Sequence, residues 1–265
     1  MNSPLLNVMS AAAIKAGKGL IRDFGEVDHL QVSRKGPANF VTESDKRTEK
    51  LLQRELAKAR PDYGFLLEEG GEVAGKDSVH RWIIDPLDGT TNFIHAIPYF
   101  CISIGLEKCE QGKSEIIAAV IFDPIHNELF SAEKGKGAFL NSRRLAVSTR
   151  PTLADAMLIT GTPRPLPQGP DVFSLFKALA QSGGTVRDFG AAALDLANVA
   201  AGRIDACWLP LIQPWDIAAG LLLVREAGGT VTELGGQQAN TYSSGVLAGN
   251  PAIHSAMSSL LSKVV

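Results

Sequence analysis

The sequence predicts a mixed α/β fold in which sheets and helices are stacked in layers. Three observations lead to this fold class. The N-terminal part has the 3.6-residue periodicity of amphipathic helices, the stretch from residue 63 to 132 holds closely spaced apolar runs typical of strands, and the second half alternates helical patterns with short strands.

Composition supports a globular protein and excludes several other classes. The 265 residues are 45% hydrophobic and 20% charged, with a formal net charge of -2. This composition excludes a disordered chain, a coiled coil and collagen. The near-neutral charge removes the basic footprint of a nucleic-acid binder, so we expect no nucleic-acid partner. No segment has the roughly 20 consecutive apolar residues of a membrane span.

The first twenty or so residues predict an amphipathic helix. One face of that helix carries Leu5, Leu6, Met9, Ala13, Ile14 and Ala16. The small residues from Ser10 to Ala13 look like a signal cleavage region, but no Lys or Arg precedes them and the apolar stretch is short. We therefore expect a helix of the folded protein there.

A second helix is predicted to begin after Thr42. The run from Thr42 to Asp45 offers several N-capping side chains, and Leu51, Leu52, Leu56 and Ala57 follow at helical spacing. Five apolar runs bounded by turn residues then predict strands at 63–67, 81–84, 100–106, 116–122 and 128–132. The close spacing from 100 to 140 predicts an antiparallel meander.

The second half predicts helices at 172–181, 191–201, 216–227 and 251–261, with Gly228-Gly229 closing the third. The segment 161–170 holds four prolines and two glycines, so we interpret it as a loop. The chain is therefore expected to form one domain over residues 1–265, with two lobes that meet near 150–170.

Cysteine and histidine usage gives no metal or redox motif. The three cysteines are odd in number and match no zinc or redox spacing, which predicts reduced thiols and a cytoplasmic protein. The five histidines are scattered. The glycines of the Gly105–Ser114 stretch are separated by six residues where a P-loop has four, so this stretch predicts a hairpin turn. No Gly-x-Ser-x-Gly elbow is present.

The most informative stretch is Trp-Ile-Ile-Asp-Pro-Leu-Asp-Gly-Thr-Thr-Asn-Phe, residues 82–93. We expect an apolar strand to end at Ile84, where Pro86 prevents the strand from continuing and brings Asp85 and Asp88 into one turn. The Asp88-Gly89 turn and a short helix opened by Thr90 would offer backbone N–H groups to a phosphate. Paired carboxylates beside an anion site require a cation, and hard oxygen ligands indicate Mg²⁺.

Two further segments strengthen this interpretation, although each has a structural alternative. Glu68 and Glu69 follow another apolar strand, where they could be part of a solvated loop. Asp216 opens a later helix, where it could serve only to stabilise the helix dipole. Three acidic segments that each have only a local structural role would be a considerable coincidence. We therefore expect them to form one acidic site.

The combination of five sequence motifs resembles the inositol monophosphatase family. The resemblance rests on the block 82–93, Glu68-Glu69-Gly70, Thr42-Glu43-Ser44-Asp45, Gly190-Ala191-Ala192-Ala193, and Pro214-Trp215-Asp216 through Gly229, in the family's order. It implies a layered αβαβα sandwich of the inositol monophosphatase and fructose-1,6-bisphosphatase type. It also implies a homodimer and a Mg²⁺-dependent, lithium-sensitive hydrolysis of a small phosphate monoester.

The resemblance also implies roles for individual residues. Glu68, Asp85 and the carbonyl of Leu87 would hold one Mg²⁺, and Asp85, Asp88 and Asp216 a second, with two or three ions at turnover. Asp45 and Thr90, with Glu68, would form the catalytic group that activates the attacking water. Asp88, Gly89, Thr90 and Asp216 would contact the substrate, and Gly190, Ala191 and Ala192 would line its other side.

Alternatives to this function remain open. Haloacid-dehalogenase phosphatases use a similar Asp-x-Asp-Gly-Thr motif with a covalent aspartate, but here two residues separate Asp85 from Asp88. Leu209 stands where the family has a glutamate that contacts inositol hydroxyls, so fructose 1,6-bisphosphate, histidinol phosphate, glycerol 2-phosphate and NADP are alternative substrates. A metal- and phosphate-binding regulatory protein without turnover is the alternative from another class.

Overall fold

The architecture is taken from a computed structural model that describes residues 3–26, 32–36, 39–162 and 172–264. The described chain forms the helices α1 (Pro4–Phe24), α2 (Glu43–Ala59), α3 (Thr90–Ile94), α4 (Val172–Gln181), α5 (Ala192–Ala200), α6 (Pro214–Glu226) and α7 (Pro251–Val264). None of these helices is both long and apolar enough to cross a bilayer.

Two antiparallel strands, β1 (Val32–Gly36) and β2 (Asn39–Thr42), lead into α2. An eight-stranded sheet follows. Its strands are β3 (Gly64–Leu67), β4 (Gly71–Val73), β5 (His80–Asp88), β6 (Cys101–Glu110), β7 (Lys113–Asp123), β8 (Glu128–Glu133), β9 (Gly137–Leu140) and β10 (Arg143–Arg144). Their order is β10-β9-β8-β7-β6-β5-β3-β4, and only β3 and β5 run parallel among these neighbours. Since β3 and β5 are parallel, their C-terminal ends lie at the same edge.

The second half builds a five-stranded sheet. It contains β11 (Met157–Thr160), β12 (Thr185–Arg187), β13 (Ala206–Pro210), β14 (Thr230–Glu233) and β15 (Gly245–Gly249), in the order β12-β11-β13-β15-β14. β11 is parallel to β12 and to β13, whereas β15 is antiparallel to β13 and to β14. The sheet is therefore mixed.

Three hydrophobic cores join five layers, because the central core covers both faces of the α5–α6 layer. Successive residues of a strand point to opposite faces of its sheet. In β5, Trp82 and Ile84 pack with α1 and α2, whereas Ile83 packs with α5 and α6. In β13, Cys207 packs with α5 and α6, whereas Trp208 packs with the side of the sheet covered by α4 and α7. The order of layers is helix, sheet, helix, sheet, helix, which confirms the predicted αβαβα sandwich.

Most predicted elements are present, with small shifts of their ends. The helix after Thr42 begins at Glu43, the β6–β7 hairpin turns at Gln111-Gly112, and the meander runs from β6 to β10. Gly228 has a φ of 84° and the amide of Gly229 donates to the carbonyl of Val224 at 2.9 Å, which is the predicted glycine C-cap. The predicted loop at 161–170 lies almost entirely outside the described residues.

One local prediction was wrong. We expected the strand to end at Ile84, but β5 continues to Asp88. Its pairing with β6 shifts between Asp85, opposite Ser103, and Asp88, opposite Cys101. Pro86 has no N–H to donate, and this irregularity accommodates it without ending the strand. The two aspartates therefore belong to one bulged strand end.

Candidate active site

The bulged end of β5 places Asp85 and Asp88 inside the protein, 3% and 8% exposed. The amide of Leu87 donates to Asp85 Oδ1 at 2.9 Å, which fixes the carboxylate within the bulge. The adjacent strand β3 ends at Leu67, and the amide of Glu68 donates to the carbonyl of Ile84 at 3.2 Å. Glu68 therefore lies at the same edge of the sheet as Asp85.

Glu68 acts electrostatically on Asp85 from the neighbouring strand end. Burial raises the pKa of Asp85 well above its usual value, and the charges of Glu68, Asp88 and Asp216 raise it further. The buried Asp85 and the partly buried Glu68 thus come from the ends of two neighbouring strands.

Asp88 contacts the start of α5. The amide of Ala193 donates to Asp88 Oδ2 at 2.7 Å, and Leu194 contributes a longer bond of 3.4 Å to the same oxygen. Burial raises the pKa of Asp88 to about 7, although both amides oppose that shift, and the charge of Glu68 adds to it. Asp88 therefore joins the eight-stranded sheet to the central helical layer.

Asp216 reaches the same acidic group from α6. The amide of Gln213 donates to Asp216 Oδ2 at 2.7 Å, so Asp216 closes a capping box at the helix start. Ser103 Oγ of β6 donates to the carbonyl of Trp215 at 3.3 Å and holds this helix end against the sheet. Burial raises the pKa of Asp216 to about 8, reinforced by Asp88 and Glu68. Asp216 therefore caps α6, and its charge also raises the pKa of Asp85.

The acidic site formed by Glu68, Asp85, Asp88 and Asp216 fits a divalent cation. Among the described residues, Asp85, Asp88 and Asp216 make no ion pair with Lys, Arg or His. Buried carboxylates that repel one another without a compensating cation are unfavourable, and a hard cation such as Mg²⁺ relieves that repulsion.

The described part of the chain does not already arrange three Asp, Glu, His or Cys side chains around one point as a metal cage. Asp85, Asp88 and Asp216 each give one oxygen to a backbone amide. Backbone hydrogen bonds thus set their orientation, and the charges of neighbouring acids raise the pKa of each of these carboxyls. A cation bound among them would relieve this repulsion.

Asp45 and Thr90 lie next to the acidic site. Asp45 is fully buried at the start of α2, and its Oδ2 accepts from the amide of Thr42 at 2.9 Å and from the Thr42 hydroxyl. Its other oxygen lies 3.2 Å from Thr90 Oγ1, which is also 3.0 Å from the carbonyl oxygen of Leu87. Burial raises the pKa of Asp45 to about 6, with small contributions from Glu68 and Glu69. The predicted pair is therefore in contact.

Gly89 occupies the N-cap of α3 with a φ of 92°, a conformation that favours glycine. A Cβ built there would lie 2.9 Å from the carbonyl oxygen of Tyr99 and 3.2 Å from the Cβ of Ala191. The close contact brings Gly89 and Thr90 next to the Gly190, Ala191 and Ala192 segment. The segment predicted to bind phosphate and the segment predicted to line the substrate therefore lie next to each other.

Leu209 lies in β13 opposite Val246, only 2% exposed, and packs within the central core. A leucine side chain has no hydrogen-bonding atom, so it cannot hold a substrate hydroxyl.

The contacts of Glu49 and Asn92 near the site were not predicted from the sequence. Glu49 is buried on α2 one turn after Asp45, and it accepts from the amide of Glu69 at 2.8 Å. The four-residue spacing from Asp45 was the available signal, since such residues share a helix face. The side-chain amide of Asn92 donates to the backbone carbonyls of Tyr99 and Phe189, and no local sequence pattern indicates these contacts.

Comparison with known proteins agrees with this geometry. The sequence profile of the "Inositol monophosphatase family" matches residues 1–265. The chain belongs to the inositol monophosphatase family. The match covers both the acidic site and the layers that position it.

Three relatives illustrate the similarity. The chain is 49% identical to a Rhizobium meliloti protein named "Inositol-1-monophosphatase", over 99% of this chain and 98% of that protein. It is 41% identical to the Escherichia coli "Nus factor SuhB", over 96% and 94% respectively. The crystal structure of extragenic suppressor protein suhB from Bartonella henselae superposes with a TM-score of 0.94 at 49% identity, covering 99% of this chain and 100% of that one.

Proposed function

We propose that this chain is a Mg²⁺-dependent phosphomonoesterase that hydrolyses a small phosphate monoester, with inositol 1-phosphate as the first candidate substrate. The observation that carries the proposal is the acidic site beside the N-terminus of α3, in which Asp85 and Asp88 are buried. Family membership and the name of the Rhizobium meliloti relative support the same activity.

The acidic site is proposed to hold the ions. Glu68, Asp85 and the carbonyl of Leu87 would hold one Mg²⁺, and Asp85, Asp88 and Asp216 would hold a second. When bound, Mg²⁺ would neutralise the phosphate dianion and lower the pKa of a coordinated water. The backbone amides on Asp85, Asp88 and Asp216 keep these carboxylates oriented whether or not an ion is bound.

Asp45 and Thr90 are proposed to position and deprotonate the attacking water. Thr90 Oγ1 is within reach of both the Asp45 carboxylate and the Leu87 carbonyl, so it can pass a proton to Asp45. Gly89 and Thr90 offer backbone N–H groups to the phosphate, because they form the start of α3. Gly190, Ala191 and Ala192 are proposed to line the alcohol side, which is the part of the site that contacts the alcohol portion of the phosphate monoester.

The alcohol side favours backbone over side-chain recognition of the substrate. Gly190, Ala191 and Ala192 have no polar side chain, and Leu209 has none either. We therefore keep glycerol 2-phosphate, histidinol phosphate, fructose 1,6-bisphosphate and NADP as alternative substrates. Lithium inhibition and a homodimer are proposed from family membership. A cytoplasmic location is proposed from the three unpaired cysteines, Cys101, Cys109 and Cys207.

The test is release of inorganic phosphate by the purified protein from inositol 1-phosphate and the alternative monoesters, with Mg²⁺ and with a chelator. We expect hydrolysis that depends on Mg²⁺ and is inhibited by lithium. If no monoester is hydrolysed, the phosphatase proposal is wrong and the regulatory alternative replaces it.

A further inference from the structure

The side chain of Asn92 connects two segments that come from different layers. Its Nδ2 donates to the carbonyl of Tyr99 at 2.8 Å and to the carbonyl of Phe189 at 2.7 Å. Both amide hydrogens are therefore used, one within the 92–99 segment and one across to the segment before α5. Asn92 itself sits on α3, whose first residues form the proposed phosphate site.

The carbonyl of Phe189 directly precedes Gly190, which adopts a φ of 76°. A Cβ built on Gly190 would lie 3.6 Å from Nδ2 and 3.8 Å from Oδ1 of Asn92. The Phe189 ring packs on the Tyr99 ring with centroids 4.9 Å apart. The Asn92 amide thus touches the substrate-side loop, residues 188–191, at the place where that loop faces α3.

Two other contacts hold this region further along α5. Tyr99 Oη donates to Asp195 Oδ1 at 2.6 Å, and Asp88 accepts from the amide of Ala193 at 2.7 Å. Both act on α5 itself. Among the described side chains, Asn92 supplies the polar contact to the preceding loop, so its loss should free residues 188–191 while α5 stays in place.

We propose that Asn92 is a positioning residue that sets the distance between the phosphate site at Gly89-Thr90 and the substrate-side loop. This inference rests on the proposed phosphatase function. Because Asn92 acts on the alcohol side, its loss weakens substrate binding more than metal binding or the chemical step.

The structural test compares Asn92→Ala with the control Asn141→Ala by hydrogen–deuterium exchange. Asn141 also bridges two loops, since its Nδ2 donates to the carbonyl of Asn127 at 3.0 Å, but it lies in the turn between β9 and β10 at one edge of the large sheet. We expect faster exchange at 188–191 in Asn92→Ala only, with α5 and residues 80–88 unchanged in both variants. Unchanged exchange at 188–191 overturns the proposal, whether or not the protein is a phosphatase.

The kinetic test measures KM and kcat for inositol 1-phosphate and the Mg²⁺ concentration for half-maximal activity. Loss of two hydrogen bonds predicts a rise in KM of about ten-fold, with kcat falling less than about three-fold. The Mg²⁺ midpoint stays unchanged, and Asn141→Ala leaves all three values at the wild-type level. A fall in kcat with constant KM overturns the assigned role. Absence of hydrolysis by the wild type overturns the phosphatase function instead, and exchange alone then decides on Asn92.

Discussion

Asp45 and Asp216 occupy the same helical position in two different layers, because each is the N3 residue of a capping box. Asp45 Oδ2 accepts from the amide of Thr42 at 2.9 Å, and Asp216 Oδ2 accepts from the amide of Gln213 at 2.7 Å. Asp45 caps its helix through Oδ2 and lies 3.2 Å from Thr90 Oγ1 through its other oxygen. An N3 carboxylate can therefore cap a helix and still have an oxygen left for another contact.

Asp85→Asn is expected to abolish phosphatase activity, by about 10³-fold or more, because Asp85 belongs to both proposed metal sites. The metal-free variant should also be more stable than the wild type. Asn can still accept from the amide of Leu87, while the buried repulsion with Glu68, Asp88 and Asp216 is reduced. A rise in Tm of about 2–4 °C corresponds to about 1 kcal/mol in a chain of this size. Activity and thermal unfolding in chelator measure both effects.

Asp123→Asn is the matched control for that variant. Asp123 also precedes a proline and accepts from the amide two residues later, Ile125, at 2.9 Å, but its other oxygen pairs with His126. We expect Asp123→Asn to retain activity and to lose stability, since a favourable contact is removed. If Asp85→Asn retained wild-type activity, the metal assignment would be wrong.

Asp45→Asn is expected to lower kcat by about 10²–10⁴, the usual contribution of a general base, without unfolding the protein. The amide Oδ1 can still accept the capping bond from Thr42, whereas a neutral amide cannot take a proton from Thr90. Thr90→Ser retains the hydroxyl and should keep much of the activity. Steady-state kinetics with circular dichroism separates lost chemistry from lost folding.

Direct attack by water further predicts that no phosphorylated enzyme forms. Intact-mass spectrometry of enzyme quenched during turnover should show only the unmodified chain. Detection of an aspartyl-phosphate would favour the covalent mechanism of the haloacid-dehalogenase type over the one proposed here.

The layered fold could be predicted because its signals are local. The period-two alternation of β5 and the helical spacing of α1 determine which residues enter which core. The capping run at Thr42 marked the start of α2 to the residue. The end of β5 could not be predicted, because the same Asp-Pro pair is compatible with a strand end and with a bulge, and only pairing with β6 decides between them.

The acidic site could be predicted through its carboxylates but not through its supports. Glu68, Asp85 and Asp216 stand in recognisable motifs at element ends. The contact of Asp88 with Ala193 joins residues 105 positions apart, and that of Asn92 with Phe189 joins residues 97 apart. Such contacts depend on how sheet and helix layers pack, which no single-sequence pattern records.

Mg²⁺ and protons are expected to compete for the acidic site. The pKa values of Asp88 and Asp216 are raised to about 7 and about 8 from an ordinary value of 3.8. A raised pKa in the folded state means that the protonated carboxyls favour folding without metal. This stabilisation is complete below pH 3.8, the ordinary pKa, and is lost as the pH rises through about 7 to 8. Mg²⁺ requires the ionised carboxylates, so its stabilising effect grows over the same range.

The measurement is Tm with Mg²⁺ and with chelator between about pH 6 and about pH 8.5. The increase in Tm on adding Mg²⁺ should be larger at the higher pH, and it should be strongly reduced in Asp85→Asn. An increase that is independent of pH, or equal in Asp85→Asn, would contradict binding at these carboxylates.

Gly89→Ala is expected to destabilise the protein and to reduce activity, and Gly112→Ala separates the two causes. Both glycines have positive φ, 92° and 75°, so alanine is strained at both. At Gly112 a Cβ meets nothing within 4 Å, whereas at Gly89 it would lie 2.9 Å from the carbonyl oxygen of Tyr99. Gly112→Ala should therefore cost about 1 kcal/mol from backbone strain alone, and Gly89→Ala about 1–3 kcal/mol more. Urea unfolding measures the difference, and kinetics should show lost activity only at Gly89, because displacing Tyr99 moves the start of α3 away from the substrate-side loop. Equal destabilisation of the two variants would show that Gly89 is needed for its φ and not for the close approach.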